Sequence, residues 1–151
     1  MKRVIILAML LFSINSFSHI GYPCSASEKK CIIQGFKIGS EELSKNEYEY
    51  IKWLVKSLNG NAKESTVLLV GHTDSEEVGT KGEKNVLSEE RAQEIGDLMR
   101  ELGLDGSIRI ITAGKGDVLP LDSNGSIEGR FRNRRVEMYM YVDEENLKSV
   151  K

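Results

Sequence analysis

The chain has 151 residues, 40% of them hydrophobic and 29% charged, with 23 acidic against 21 basic side chains. This length suits a single domain with one real core, and the composition excludes both wholesale disorder and a protein of many membrane spans. The small negative net charge excludes bulk attraction to polyanions.

The chain opens with Lys2 and Arg3, the apolar run Val4 to Phe12 and then small polar residues from Ser13 to Ser18. This is the pattern of a secretory leader, and its apolar run is about half of the roughly 20 residues needed to span a bilayer. Residues 1–18 are therefore expected to be removed, leaving a domain outside the cytoplasm. Cleavage after Ser18 or after Ala26 each leaves a small residue at the final position. Loss of Lys2 and Arg3 leaves 19 basic against 23 acidic residues, a net of about −4. Cys24 and Cys31 then lie near the mature start, where an oxidising compartment can join them if the earlier site is used. Cleavage after Ala26 would instead leave Cys31 alone. Gly21-Tyr22-Pro23 lacks the aliphatic-then-small pattern that would precede lipid attachment at Cys24.

The first apolar stretch, Ile32, Ile33, Phe36 and Ile38, reads as a strand interrupted by Gly35. Ser44 and Glu47 form a capping box, with Leu43 and Tyr48 as a hydrophobic staple, so a helix is expected from Lys45. Its apolar face is Tyr48, Ile51, Leu54, Val55 and Leu58, and Asn59-Gly60 should stop it. Val67 to Val70 is wholly apolar and suits a central strand covered on both faces. A polar loop from Asp74 to Leu87 follows, with Ser88 capping a second helix that carries Ala92, Ile95, Leu98, Met99 and Leu102 at helical spacing. Ile108 to Ala113 gives a third strand, and 114–125 a second long loop. A short helix is signalled around Ser126 to Asn133. In the last strand Val136, Met138, Met140 and Val142 alternate with Arg135, Glu137, Tyr139 and Tyr141, which predicts one buried and one wet face. The order of elements makes an α/β two-layer sandwich over 27–142, with 143–151 as a polar tail.

Chemistry concentrates in four places. Gly71-His72-Thr73-Asp74 lies at the carboxyl end of a buried strand, the end of α/β sheets where ligands collect. The other histidine is His19, so no histidine zinc triad exists, and no serine sits on a nucleophile elbow. His72 is accordingly read as structural; no catalytic residue, metal or cofactor is expected. Asp74 can offer its carboxylate to a cation or serve as a turn aspartate. Arg91, placed at the third position of the second helix, is a cation beside the positive end of the helix dipole. It can share an anion with the helix start or pair with a neighbouring glutamate on the surface. Arg130, Arg132, Arg134 and Arg135 form a basic cluster with only Phe131 interleaved, which argues against nucleic acid and for pairing with the excess carboxylates.

Four ordered blocks give these pieces a common origin: Gly71-His72-Thr73-Asp74; Leu87-Ser88 with Arg91-Ala92; Gly114-Lys115-Gly116 with Pro120 and Asn124; and Gly129-Arg130 with Asn133-Arg134-Arg135-Val136-Glu137. In these blocks the chain resembles the carboxyl-terminal OmpA-like domain shared with MotB-type and peptidoglycan-associated proteins, over about Ile32 to Val142. The resemblance implies a mixed four-stranded sheet with helices on one face, and non-covalent binding of peptidoglycan through the diaminopimelate of its stem peptide. Asp74 falls where the family's carboxylate takes the ligand ammonium, and Arg91 where its guanidinium takes the ligand carboxylate. Arg135 is the residue of Asn133-Arg134-Arg135 expected to line the same groove, with Thr73, Lys84 and Asn133 beside it. Two departures stand out. Lys84 replaces the family's asparagine, with Asn85 one place late, and the Asp74-to-Ser88 loop is about two residues longer within Ser75 to Val78. With no transmembrane stretch after the leader, the expected form is a periplasmic domain at the wall or outer membrane. The alternative is a docking component that holds another envelope protein; a hydrolase built on His72 and Asp74 is a weaker third.

Overall fold

The computed structural model describes residues 24–140 apart from positions 26, 62, 63 and 78. The leader, Tyr141, Val142 and the polar tail lie outside the described residues. The elements run β1 (Lys30–Ile33), a 3-10 turn (Lys45–Glu47), α1 (Tyr48–Asn61), β2 (Thr66–His72), α2 (Lys81–Glu101), β3 (Arg109–Gly114), α3 (Ile127–Asn133) and β4 (Arg135–Tyr139). They form one mixed sheet in the order β1-β4-β2-β3, with β2 and β3 parallel and the other two pairs antiparallel. This is the α/β two-layer architecture expected from the alternation of strands and helices.

The core lies between the sheet and the helices α1 and α2. Ile33, Val67, Leu69, Val136 and Met138 point to it from the strands, and Ile51, Leu54, Leu58, Ile95 and Met99 from the helices. Ser44 accepts from the Asn46 amide at the start of the 3-10 turn, so the first helix opens with a tighter turn than its sequence predicts. Tyr48 is 40% exposed and does not join the buried stripe. Asn59-Gly60 does not end α1. The Asn59 side chain donates to the Gly103 carbonyl and accepts from the Asp105 amide, tying the last turn to the α2–β3 connection. Ile38, read as part of the first strand, is 73% exposed beyond its end.

The largest departure is the start of α2. Thr80 is its N-cap in a full capping box with Glu83, so the helix begins seven residues before Ser88, which lies within it. Thr80-Lys81-Gly82-Glu83 carries the T-x-x-E signature, masked by a polar, glycine-containing first turn. Arg91 consequently stands mid-helix, away from the free amides of a helix start.

The second departure is the far face of the sheet. Leu68 and Val70 are buried there with Tyr139 and Ile111 packed on them, and β2 is thus covered on both faces as expected. Arg135 and Glu137 share that face, opposite His72 and Val70, and are also buried. The polar half of β4 is an internal ion pair and not a wet surface.

α2 crosses β2 and β3 unusually closely. A Cβ on Gly71 would lie 1.7 Å from the Ser88 carbonyl oxygen, and one on Gly114 would lie 2.4 Å from that of Asn85. The side-chain-free positions let the helix lie directly on the strand ends. Gly71→Ala should therefore push the helix away and destabilise the protein by at least about 1–3 kcal/mol, read as a lower midpoint in urea unfolding. An unchanged midpoint would show that this contact is slack.

Candidate functional site

Thr73 and Asp74 continue from β2 into the β2–α2 connection, and both are buried. The Thr73 amide donates to the Gly116 carbonyl, so the strand end is bound to the loop after β3. Asp74 folds the chain onto itself. Its Oδ1 accepts from the amides of Glu76 and Glu77 at 2.8 and 2.9 Å, and its Oδ2 accepts from Arg134 Nη1 at 2.6 Å. Asp74 is thus a turn aspartate, and the cation on its second oxygen is a guanidinium of the chain itself.

Arg91 is fully buried and all five of its N–H groups are used. Three go to main-chain carbonyls, from Nε to Ser40, Nη1 to His72 and Nη2 to Lys37, each at 3.0 Å. The remaining two form a fork on the carboxylate of Glu77. Glu77 is itself fully buried and also accepts from the amides of Gly39 at 2.8 Å and Asp74 at 3.0 Å. Each carboxylate oxygen therefore takes one guanidinium N–H and one backbone N–H. Phe36 lies against the guanidinium, 5.2 Å from ring centre to Cζ. The surface ion pair considered for Arg91 is replaced by a buried one with a glutamate fourteen residues upstream.

The structure brings Asp74 and Arg91 together through Glu77, which sequence reasoning missed, and Arg134 completes a set of two carboxylates and two guanidiniums. Arg135 is not in that set. It sits on the far face, pairing with Glu137 at 2.7 Å and donating to the Leu119 carbonyl. Alternation along β4 sends Arg135 to the face of His72, whereas Arg134, just before the strand, reaches Asp74. Asn133 is buried beneath this end of the sheet. Its Oδ1 accepts from the amides of Leu121 and Asp122, and its Nδ2 donates to the Asp122 carbonyl and Asn124. It shapes the loop before α3. Lys84 donates to the Ser75 carbonyl and pairs with Asp117 at 2.8 Å, bridging the two loops at the mouth of the site. Cys24 and Cys31 are joined, with the Tyr50 hydroxyl donating to Cys24 Sγ at 3.6 Å. The one readable signal for Glu77 was the extra length of its loop, which contains two adjacent glutamates.

Behind the site, His72 is 2% exposed, its ring nitrogens find no hydrogen-bond partner, and the Glu137 carboxylate stands 4.0 Å from its Nε2. Burial, with help from Arg135, pushes its pKa down to about 4. Burial opposes ionisation of Glu137, but Arg135 and the Tyr139 hydroxyl outweigh it and hold that carboxyl below its usual range. His72 is thus neutral at neutral pH. Among the described residues no group of histidine, cysteine or acidic side chains is arranged to hold a metal ion, and no helix is long and apolar enough to cross a membrane.

Comparison with known proteins supplies relatives for this arrangement. A sequence profile of the OmpA family matches residues 35–134. Outer membrane protein A of Bordetella avium is 45% identical over 73 residues, 48% of this chain and 36% of that protein. The peptidoglycan-binding protein ArfA of Mycobacterium tuberculosis is 35% identical over 92 residues, 61% of this chain and 27% of that protein. Among solved structures, the cell wall anchor of the T6SS from Pseudomonas aeruginosa superposes with a TM-score of 0.61 and 28% identity, covering 76% of this chain and 81% of that one. This chain spans only 27% to 36% of the length of the curated relatives it matches.

Burial of a neutral His72 predicts an acid-sensitive fold. Because the folded pKa, about 4, lies below the ordinary 6.5, the unfolded chain binds a proton that the folded one refuses. The stability from this group is complete above about pH 6.5 and is lost as pH falls towards 4, on the order of 3 kcal/mol in all. Urea unfolding at stepped pH should show that decline, and His72→Asn should flatten it. A decline of equal depth in the variant would assign it to carboxylates instead of the imidazole, with Glu137 beside it the first to test.

Proposed function

The chain belongs to the OmpA family, and from that premise we propose that it is a periplasmic module that holds peptidoglycan non-covalently, without chemistry on it. The carrying observation is a cradle of four N–H donors, two from Arg91 and one each from Gly39 and Asp74, converging on a single carboxylate position. Charge-assisted bonds of this kind are the strong ones, and a guanidinium fork selects a planar carboxylate by geometry. The Asp74 carboxylate belongs to a residue whose amide is part of the cradle, and it already holds a cation, the Arg134 guanidinium. A zwitterionic centre with an ammonium and a carboxylate on one carbon, such as the side-chain end of diaminopimelate, matches that pair of charges. Names borne by relatives, a peptidoglycan-binding protein and a cell wall anchor, support the same reading. Thr73 and Asn133 serve as supports for the site and Lys84 as the brace across its mouth.

The test is sedimentation with purified diaminopimelate-type peptidoglycan, with free meso-diaminopimelate as competitor. Arg91→Ala and Asp74→Ala would each strand a buried charge at a cost of about 3–5 kcal/mol, so gentler substitutions are better probes. Arg91→Lys keeps the charge and loses the fork, and Asp74→Asn keeps the shape. With folding checked by circular dichroism, each should weaken binding roughly tenfold to a hundredfold, the scale of one charge-assisted bond. A folded parent that stays in the supernatant would leave the docking of another envelope protein as the better account.

A further inference from the structure

We propose that Glu77 is an internal competitor for the carboxylate cradle, so that ligand binds by exchanging its own carboxylate for that of Glu77; this rests on the wall-binding reading above. In the sequence, Arg91 is the residue expected to take the ligand carboxylate. In the structure its two outward N–H groups are already occupied by a carboxylate of the same shape, delivered by the chain itself.

Three observations separate a displaceable plug from a permanent strut. First, the cradle does not depend on its occupant: three carbonyls, of Lys37, Ser40 and His72, fix the guanidinium from behind, so it stays aimed when the carboxylate leaves. Second, Glu77 hangs from a short surface excursion in which Ser75, Glu76, Gly79 and Thr80 are all exposed, so its withdrawal disturbs no core residue. Gly79, at φ 131°, gives that excursion a pivot open to few other residues. Third, the exchange is neutral in charge. One carboxylate replaces another on Arg91, whereas expelling Glu77 without replacement would leave a buried guanidinium unpaired. The plug therefore yields to a carboxylate and resists uncharged ligands and cations.

A plug seated about 90% of the time weakens apparent affinity about tenfold. Calorimetry of a synthetic stem peptide ending in meso-diaminopimelate should thus give Glu77→Gln and Glu77→Ala an affinity about tenfold or more above the parent. Parent and variants binding equally, or the variants more weakly, would overturn the exchange. Two further measurements keep the proposal testable if the peptide binds neither protein or the variants fold poorly. Sodium acetate, against sodium chloride at equal ionic strength, should raise the melting temperature of Glu77→Ala and not of the parent, because acetate refills the cradle; no rise would refute the proposal independently of any wall ligand. In the unmodified protein, saturating peptide should shift the Glu77 carboxyl carbon resonance while the Gly39 and Asp74 amides keep their hydrogen-exchange protection, because the ligand carboxylate takes up their bonds. Binding that leaves Glu77 unmoved would also defeat it. Failure of the parent to bind peptide or wall, with acetate rescue intact, would sink the wall-binding reading alone.

Discussion

The guanidinium of Arg91 is the point on which this end of the molecule is built. It reaches from the middle of α2 to the carbonyls of Lys37 and Ser40 after β1, to that of His72 at the end of β2, and to Glu77 in the following loop. Four chain segments distant in sequence are held by one planar group whose geometry permits little variation. Its reach depends on the close passage of α2 over β2, which the absence of a side chain at Gly71 allows. A helix standing farther from the sheet would leave the guanidinium short of its carbonyls.

Burying such a group is expensive, and ion pairs inside proteins often contribute less than well-packed apolar side chains would. Here the arrangement spreads the cost. Arg91 with Glu77 and Arg134 with Asp74 balance in charge; each Glu77 oxygen has a main-chain N–H as well as a guanidinium contact, and Asp74 gives one oxygen to main-chain amides and the other to a guanidinium. Satisfaction of that kind defines a unique geometry even where its net stabilisation is small. On the far face Arg135, Glu137 and the Tyr139 hydroxyl repeat the pattern.

Much of this was legible in the sequence, and the reasons for the remainder are physical. The strands and the body of α1 are legible from their apolar patterning, β2 as a wholly apolar run and β4 by alternation, whereas α3 is only weakly signalled because it is short. The start of α2 was obscured, since its first two turns are polar and exposed and its capping box lies in a stretch that reads as loop. With the helix read from Ser88, Arg91 falls at a helix start, where its expected partner is a visiting anion or a neighbouring surface glutamate. Asp74 and Arg91 were singled out by composition and position, but nothing in a linear sequence distinguishes Glu76, which faces solvent, from Glu77, which faces the guanidinium. Arg135 is expected at the groove through the resemblance, whereas the alternation of β4 sends it to the face of His72 and leaves Arg134, just before the strand, to reach Asp74. Arg135 and Glu137 read as a wet face since charged side chains usually are exposed; their mutual pairing reverses the rule.

The short disulfide loop at the other end of the sheet carries a consequence for association. β1 is an edge strand, and the outward-facing amide and carbonyl of Lys30 are both taken by Ser25, whose segment is fastened by the bond between Cys24 and Cys31. Free main-chain groups on an edge strand are a template on which a second chain can add. The fastened segment acts as a terminator on that side, closing the ladder before a neighbour can extend it. A chain without Cys24 and Ser25 would leave those groups of Lys30 open to recruitment into a longer sheet.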